Sequence, residues 1–181
     1  GRHHIVKLHL PGDMLGVASI CLTEAADTLT TVTPASFRKL SVRHLAQIFA
    51  SSPTFAASMF LIAQLERVML TDRLHACATR SSLGKLATFL TDLHARLTAL
   101  GMAHGMTFPL PLTQQQMGHF VGLSTIQVHR AMNELQSRGM IERHSNSVTI
   151  LDLDALFEHG SLPARVADLD VRDRFAGASG E

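Results

Sequence analysis

Between positions 113 and 130 the chain gathers side chains suited to gripping a polyanion and reading flat, hydrogen-bonding edges: Thr113, Ser124, Thr125, Ile126, Gln127, His129 and Arg130. Arg130 carries a planar fork of donors that matches guanine O6 and N7, a contact worth about 1–3 kcal/mol of discrimination between bases. Thr113, Ser124 and Gln127 can bond phosphate oxygens, which positions a protein on a duplex without reading sequence. Thr125, Ile126 and His129 share the exposed surface with Arg130. Ile126 makes only apolar contacts, for instance with a thymine methyl, and His129 either donates to a guanine or phosphate or fills space. No Ser/His/Asp or Cys/His constellation can be placed and no phosphate-cradling glycine loop occurs, so an enzyme is not expected.

The elements that must hold these residues are legible around them. Thr113 caps a short helix with Gln116 at its third position, Gly122-Leu123 makes a tight turn, and Ser124 caps a second helix. In that second helix Val128, Met132 and Leu135 face inward, and Gly139 ends it. MIER and SVTIL then form two short strands around His144-Ser145-Asn146-Ser147, the pattern of a winged helix-turn-helix. Upstream, Leu83, Leu86, Leu90, Leu93, Leu97 and Leu100 recur at steps of three and four, which predicts a helix with a core stripe closed by Gly101. The stretch MAHGMTFPLPL between these units reads as a connection.

Ahead of it, Ser41 caps a short helix ending near Pro53, and Pro53 opens a long helix to about Ala78 without internal Pro or Gly. Ser58, Leu61, Leu65, Val68, Asp72 and His75 form one stripe; Phe60, Ala63, Arg67, Leu70 and Leu74 form another. Two stripes predict two packing partners, one of them a symmetry mate meeting Ser58, Leu61, Ile62, Leu65, Val68 and Met69. At the start, the alternation of Val6, Leu8 and Leu10 before Pro11-Gly12-Asp13 and the run TLTTVT at 28–33 predict strands. They are too few to close a sheet, so the chain is expected to begin partway through a larger β-domain.

Composition narrows the class. With 46% hydrophobic and 17% charged residues the chain is too apolar to be disordered. Asp13, Glu66, Arg67 and Asp72 interrupt its apolar stretches, so no membrane span is expected. Two cysteines, Cys21 and Cys77, make no disulfide framework, and the start GRHHIVKLHLPGD lacks a signal-peptide core, so a reducing cytoplasmic setting is the expectation. Charge is uneven: residues 1–106 hold ten Lys and Arg against six Asp and Glu, 107–151 three against two, and 152–181 three against seven. Nine Phe with no Trp or Tyr make a poor stacking platform for single strands.

LPLTQQQMGHFVGLSTIQVHRAMNELQSRGMIER resembles the DNA-binding signature of the Crp/Fnr superfamily of bacterial transcription regulators. LHLPGDMLG resembles the middle of that family's cyclic-nucleotide-type β-roll, and the long helix sits where its dimer helix belongs. The resemblance implies an α+β chain: a partial effector-sensing β-roll (residues 1–50), a dimerisation helix (51–79), a winged helix-turn-helix DNA-binding domain (80–160) and a flexible tail (161–181). It implies a homodimer on a near-palindromic double-stranded DNA operator, with RNA polymerase as a further partner and no membrane.

Two departures qualify it. Familiar members carry Glu where Ile126 stands, so the well-known operators are not assumed. The sensor stretch offers Val17 or Ala18 in place of a ribose-binding Glu, and Asp27-Thr28 in place of a phosphate-neutralising Arg-Ser pair, which makes cyclic AMP an improbable ligand. No cofactor is predicted and the effector is unknown; Cys21 and Cys77 cannot supply a four-thiolate cluster. His3, His4 and His9 read as surface residues rather than metal ligands, since neighbours on a strand point to opposite faces. The competing expectation is a winged-helix protein-interaction module that has lost DNA binding, motivated by the weak charge of residues 107–151.

Overall fold

The computed structural model describes residues 4–160. The expected tail at 161–181 and His3 lie outside them. The described chain divides into two compact units, one of residues 4–34 with 74–160, the other of residues 35–73.

In the first unit the organising element is the leucine-striped helix, α3 (Ser82–Ala99), preceded in chain order by α1 (Val42–Ser51) and α2 (Pro53–Thr79). Ser81 caps α3 by accepting from the Gly84 amide, and Gly101 leaves it at φ +67°, a left-handed turn. Leu83, Leu86, Leu90, Leu93 and Leu97 are buried, as their spacing predicts. Leu100, expected in the same stripe, is 44% exposed because it falls at the C-cap, where the chain has left the helical path.

Around α3 pack α4 (Gln114–Val121), α5 (Thr125–Ser137), α6 (Leu153–His159) and a three-stranded antiparallel sheet. The sheet order is β1-β3-β2, with β1 Thr107–Pro109, β2 Ile141–Arg143 and β3 Ser147–Ile150. β2 and β3 are the two wing strands read from the sequence, closed by the His144 amide donating to the Ser147 carbonyl at 2.9 Å. β1 is a correction: the stretch taken for a connection pairs Phe108 opposite Val148 and Thr107 opposite Thr149. Pro109, without an N–H, ends it after three residues at the sheet edge. Phe108, Ile141, Val148 and Ile150 drive the inner face of this sheet into the core formed by Leu86, Leu90, Met117, Val128, Met132, Leu135 and Leu156.

The strands expected at Val6–Leu10 and at 28–33 are not formed. A strand needs a hydrogen-bonded neighbour, and among the described residues none runs beside either stretch. Instead Ile5, Leu8 and Leu10 pack against the helical core, and the Ile5 amide donates to the His119 carbonyl at 3.1 Å. Asp13 holds the following turn: it accepts from the Leu10 amide at 3.1 Å and faces Lys7 at 3.9 Å, His9 at 3.6 Å and Arg96 of α3 at 3.6 Å. Arg96 also donates to the Leu8 carbonyl at 2.8 Å. A short 3-10 helix, Val17–Cys21, follows.

In the second unit α1 is capped by Ser41, whose hydroxyl accepts from the His44 amide at 3.2 Å. Phe49 of α1 and Phe55 of α2 meet in a tilted arrangement with ring centroids 6.0 Å apart. The two α2 stripes differ in exposure. Ser58, Leu61, Leu65, Val68 and Asp72 of the first stripe and the expected seam residues Ile62 and Met69 are half-buried, whereas His75 and the second stripe, Phe60, Ala63, Arg67, Leu70 and Leu74, are exposed. No single helix among the described residues is long and apolar enough to cross a membrane.

Candidate nucleic-acid interface

The site is two capped helices and the turn between them. Thr113 closes a reciprocal cap on α4: its hydroxyl accepts from the Gln116 amide at 3.1 Å while its own amide donates to Gln116 Oε1 at 2.8 Å. The Thr113 hydroxyl also donates to Gln116 Oε1 at 3.1 Å, so both of its hydrogen-bonding roles are engaged inside the cap. Ser124 repeats the device on α5, accepting from the Gln127 amide at 3.2 Å while its own amide donates to Gln127 Oε1 at 2.9 Å. This leaves the Ser124 hydroxyl proton and the Gln127 NH2 as the donors that can reach a phosphate.

Between the helices Gly122 adopts φ +71°, and the Leu123 amide donates to the Gly118 carbonyl at 2.9 Å. Gly118 is required for close approach rather than for φ, since a Cβ there would lie 2.5 Å from the Leu123 carbonyl oxygen. Sequence reasoning had given Gly118 no role; a glycine inside an otherwise good helix was the available signal. Val128, Ala131, Met132 and Leu135 bury one side of α5. Phe120 of α4 meets Phe89 of α3 at 5.2 Å, fixing the pair of helices on the core.

The opposite side of α5 presents Thr125, Ile126, Gln127, His129, Arg130 and Asn133 to solvent. Ile126, Arg130 and Asn133 follow the four-then-three spacing of one helix face, with His129 beside them. Among the described residues no carboxylate pairs with Arg130, whereas Arg138, further along, is held by Glu134 and approaches His159. His129 is engaged from both sides: its Nδ1 lies 3.3 Å from Gln114 Nε2 of α4 and its Nε2 lies 3.1 Å from Asn133 Nδ2. In a neutral imidazole one ring nitrogen donates and the other accepts, and amide groups can present either partner. Gln114 and Asn133 were missed from sequence; their signal was the four-residue step from His129 to Asn133. The wing tip, Arg143 to Asn146, is exposed.

A helix pair joined by a tight glycine turn, backed by a third helix and followed by a β-hairpin, defines the winged helix-turn-helix class. Residues 84–158 match the family described as the Crp-like helix-turn-helix domain. The nitrogen fixation regulation protein FixK of Bradyrhizobium diazoefficiens is 30% identical over 153 residues, covering 84% of this chain and 63% of the relative. The transcriptional activator protein FnrA of Stutzerimonas stutzeri is 24% identical over 152 residues, covering 84% of this chain and 62% of that one. The chain thus spans a little over three-fifths of the length of these curated relatives. In fold it is similar to the structure of FixK2 from Bradyrhizobium japonicum, with a TM-score of 0.60 at 18% identity over 67% of this chain and 60% of that chain. Residues 84–158 thus form a Crp-like helix-turn-helix domain.

Proposed function

We propose that this chain is a sequence-specific, double-stranded DNA-binding transcription regulator of the Crp/Fnr type, acting as a homodimer on a near-palindromic operator and not as an enzyme. The observation that carries this is the exposed face of α5, where Arg130 stands with no carboxylate partner among the described residues, beside Ile126 and His129, while the opposite face is sealed into the core. The N-terminal half of α5 enters the major groove. Arg130 reads a guanine, and Ser124, Gln127 and the first turn of α4 at Thr113 lie against phosphates. The relatives' printed descriptions as a transcriptional activator and a regulation protein support this reading.

Dimerisation through α2 at Ser58, Leu61, Ile62, Leu65, Val68 and Met69 sets two copies of α5 about 34 Å apart, one turn of the duplex. RNA polymerase is a further partner, the setting is cytoplasmic, and the effector is a molecule other than cyclic AMP, since Asp27 would face a phosphate of like charge. The test is titration of duplex DNA at several salt concentrations. Affinity falling steeply as salt rises, with a slope of about −0.9 per phosphate contacted, supports DNA binding. Salt-independent failure to bind any duplex would instead leave α5 as a protein-docking helix.

A further inference from the structure

Ile126 is out of place by every rule that governs an isolated chain. It is 64% exposed at the second position of α5, so it gains almost nothing from the core. The first turn of α5 contains no acidic residue, although a carboxylate there would favour the positive end of the helix dipole. A β-branched side chain also has weaker helix propensity than the straight-chain alternatives. Nothing among the described residues rewards isoleucine at this position, which directs attention to what it can meet in a complex.

The neighbouring polar groups narrow the possibilities. Gln127 is engaged with Ser124, and His129 is held between Gln114 and Asn133. Ile126 and Arg130, four residues apart on one face, are left to meet base edges together. In the major groove guanine, cytosine and adenine present donors and acceptors, and the one apolar feature of any base pair is the C5-methyl of thymine. Isoleucine laid over a polar edge would strip its water without replacing the hydrogen bonds, so it selects against such pairs as well as for the methyl.

We propose that Ile126 is a specificity-determining residue that reads the C5-methyl group of a thymine, at one base pair in each half-site. This rests on the DNA-binding reading above and adds to it the chemical group recognised.

The test begins with a duplex enriched from a random pool by the full chain. Each thymine is then replaced singly by deoxyuridine, which lacks only the methyl. At one position per half-site the substitution weakens binding about fourfold, the value of burying one methyl group. 5-Bromodeoxyuridine, whose bromine fills the methyl's volume, restores it. Ile126→Ala binds the thymine duplex more weakly and is indifferent to deoxyuridine at that position, while its unfolding temperature stays that of the parent because the side chain is exposed. A bound duplex with no deoxyuridine-sensitive position, or one whose sensitivity persists unchanged in Ile126→Ala, overturns the inference and leaves DNA binding standing. Failure to enrich any duplex rejects the DNA-binding reading, and the inference with it.

Discussion

Arg130 and Gln127 stand three residues apart on α5 in different surroundings, and the roles proposed for them differ accordingly. Arg130 has no carboxylate partner among the described residues, so its guanidinium is free to form two parallel bonds to guanine. Gln127 has its carbonyl oxygen tied into the Ser124 cap, leaving only its NH2 for a phosphate. Arg130→Ala is therefore expected to lose about 1–3 kcal/mol of preference at one base pair per half-site. Gln127→Ala weakens all duplexes about equally. Binding to matched and single-mismatch duplexes at two salt concentrations reads the difference; an Arg130→Ala protein that kept the parent's preference at every position would make Arg130 merely a solvated charge. His129 shows what residue type alone left open. Its alternatives were a base or phosphate contact or simple filling, and the structure places it as a strut between Gln114 of α4 and Asn133 of α5.

At the scale of elements, the helix-turn-helix depends on two caps and one close approach. Ser124→Ala removes the acceptor for the Gln127 amide and is expected to lower stability by about 1 kcal/mol. Gly118→Ala forces the Leu123 carbonyl away from the added Cβ, which costs about 1–3 kcal/mol. Thermal unfolding followed by circular dichroism measures both, and a Gly118→Ala protein as stable as the parent would contradict the tight α4–α5 packing. The segment ahead of α3 gives a separate prediction. Arg96 is the hinge pin of its attachment, bonding the Leu8 carbonyl and facing Asp13. In Arg96→Ala the Ile5 amide should exchange its hydrogen faster while the amides of α5 keep their protection; equal rates would show that the apolar contacts of Ile5, Leu8 and Leu10 hold the segment unaided.

At the scale of the whole molecule, the proposed two-fold assembly turns on which stripe of α2 faces its mate. The proposed seam runs through Leu61, Leu65 and Val68, which are half-buried, while Phe60, Leu70 and Leu74 form an exposed apolar row. Leu65→Glu would bury an unpaired charge at the seam, at a cost of about 3–5 kcal/mol, and is expected to sediment as a monomer. Leu70→Glu is expected to remain a dimer. The reverse pattern would move the seam to the exposed row. With the dimer intact, calorimetry with cyclic AMP is expected to show no saturable heat, and micromolar binding would remove Asp27 from the phosphate-facing position.

The amino-acid sequence alone determined what depends on neighbours a few residues apart. The caps at Ser41, Thr113 and Ser124, the leucine stripe of α3 from Leu83 to Leu97, the glycine ends at Gly101 and Gly122 and the two wing strands all arise from local bonds or from helical and strand periodicity, and each lies where its residues predict. Tertiary structure decided whatever needs a distant partner. Thr107–Pro109 becomes a strand only because Val148 and Thr149 arrive beside it, whereas the stretch at Val6–Leu10, with strand-like alternation but no neighbouring strand, leaves Val6 exposed and rests on the core through Ile5, Leu8 and Leu10. The site divides the same way. The exposure of Arg130 was legible because it falls outside the inward-facing periodicity of Val128, Met132 and Leu135. Gln114 and Gly118 were not, because one depends on the distance from α4 to His129 of α5 and the other on where the Leu123 carbonyl arrives, and packing around Met117, Val128 and Met132 sets both.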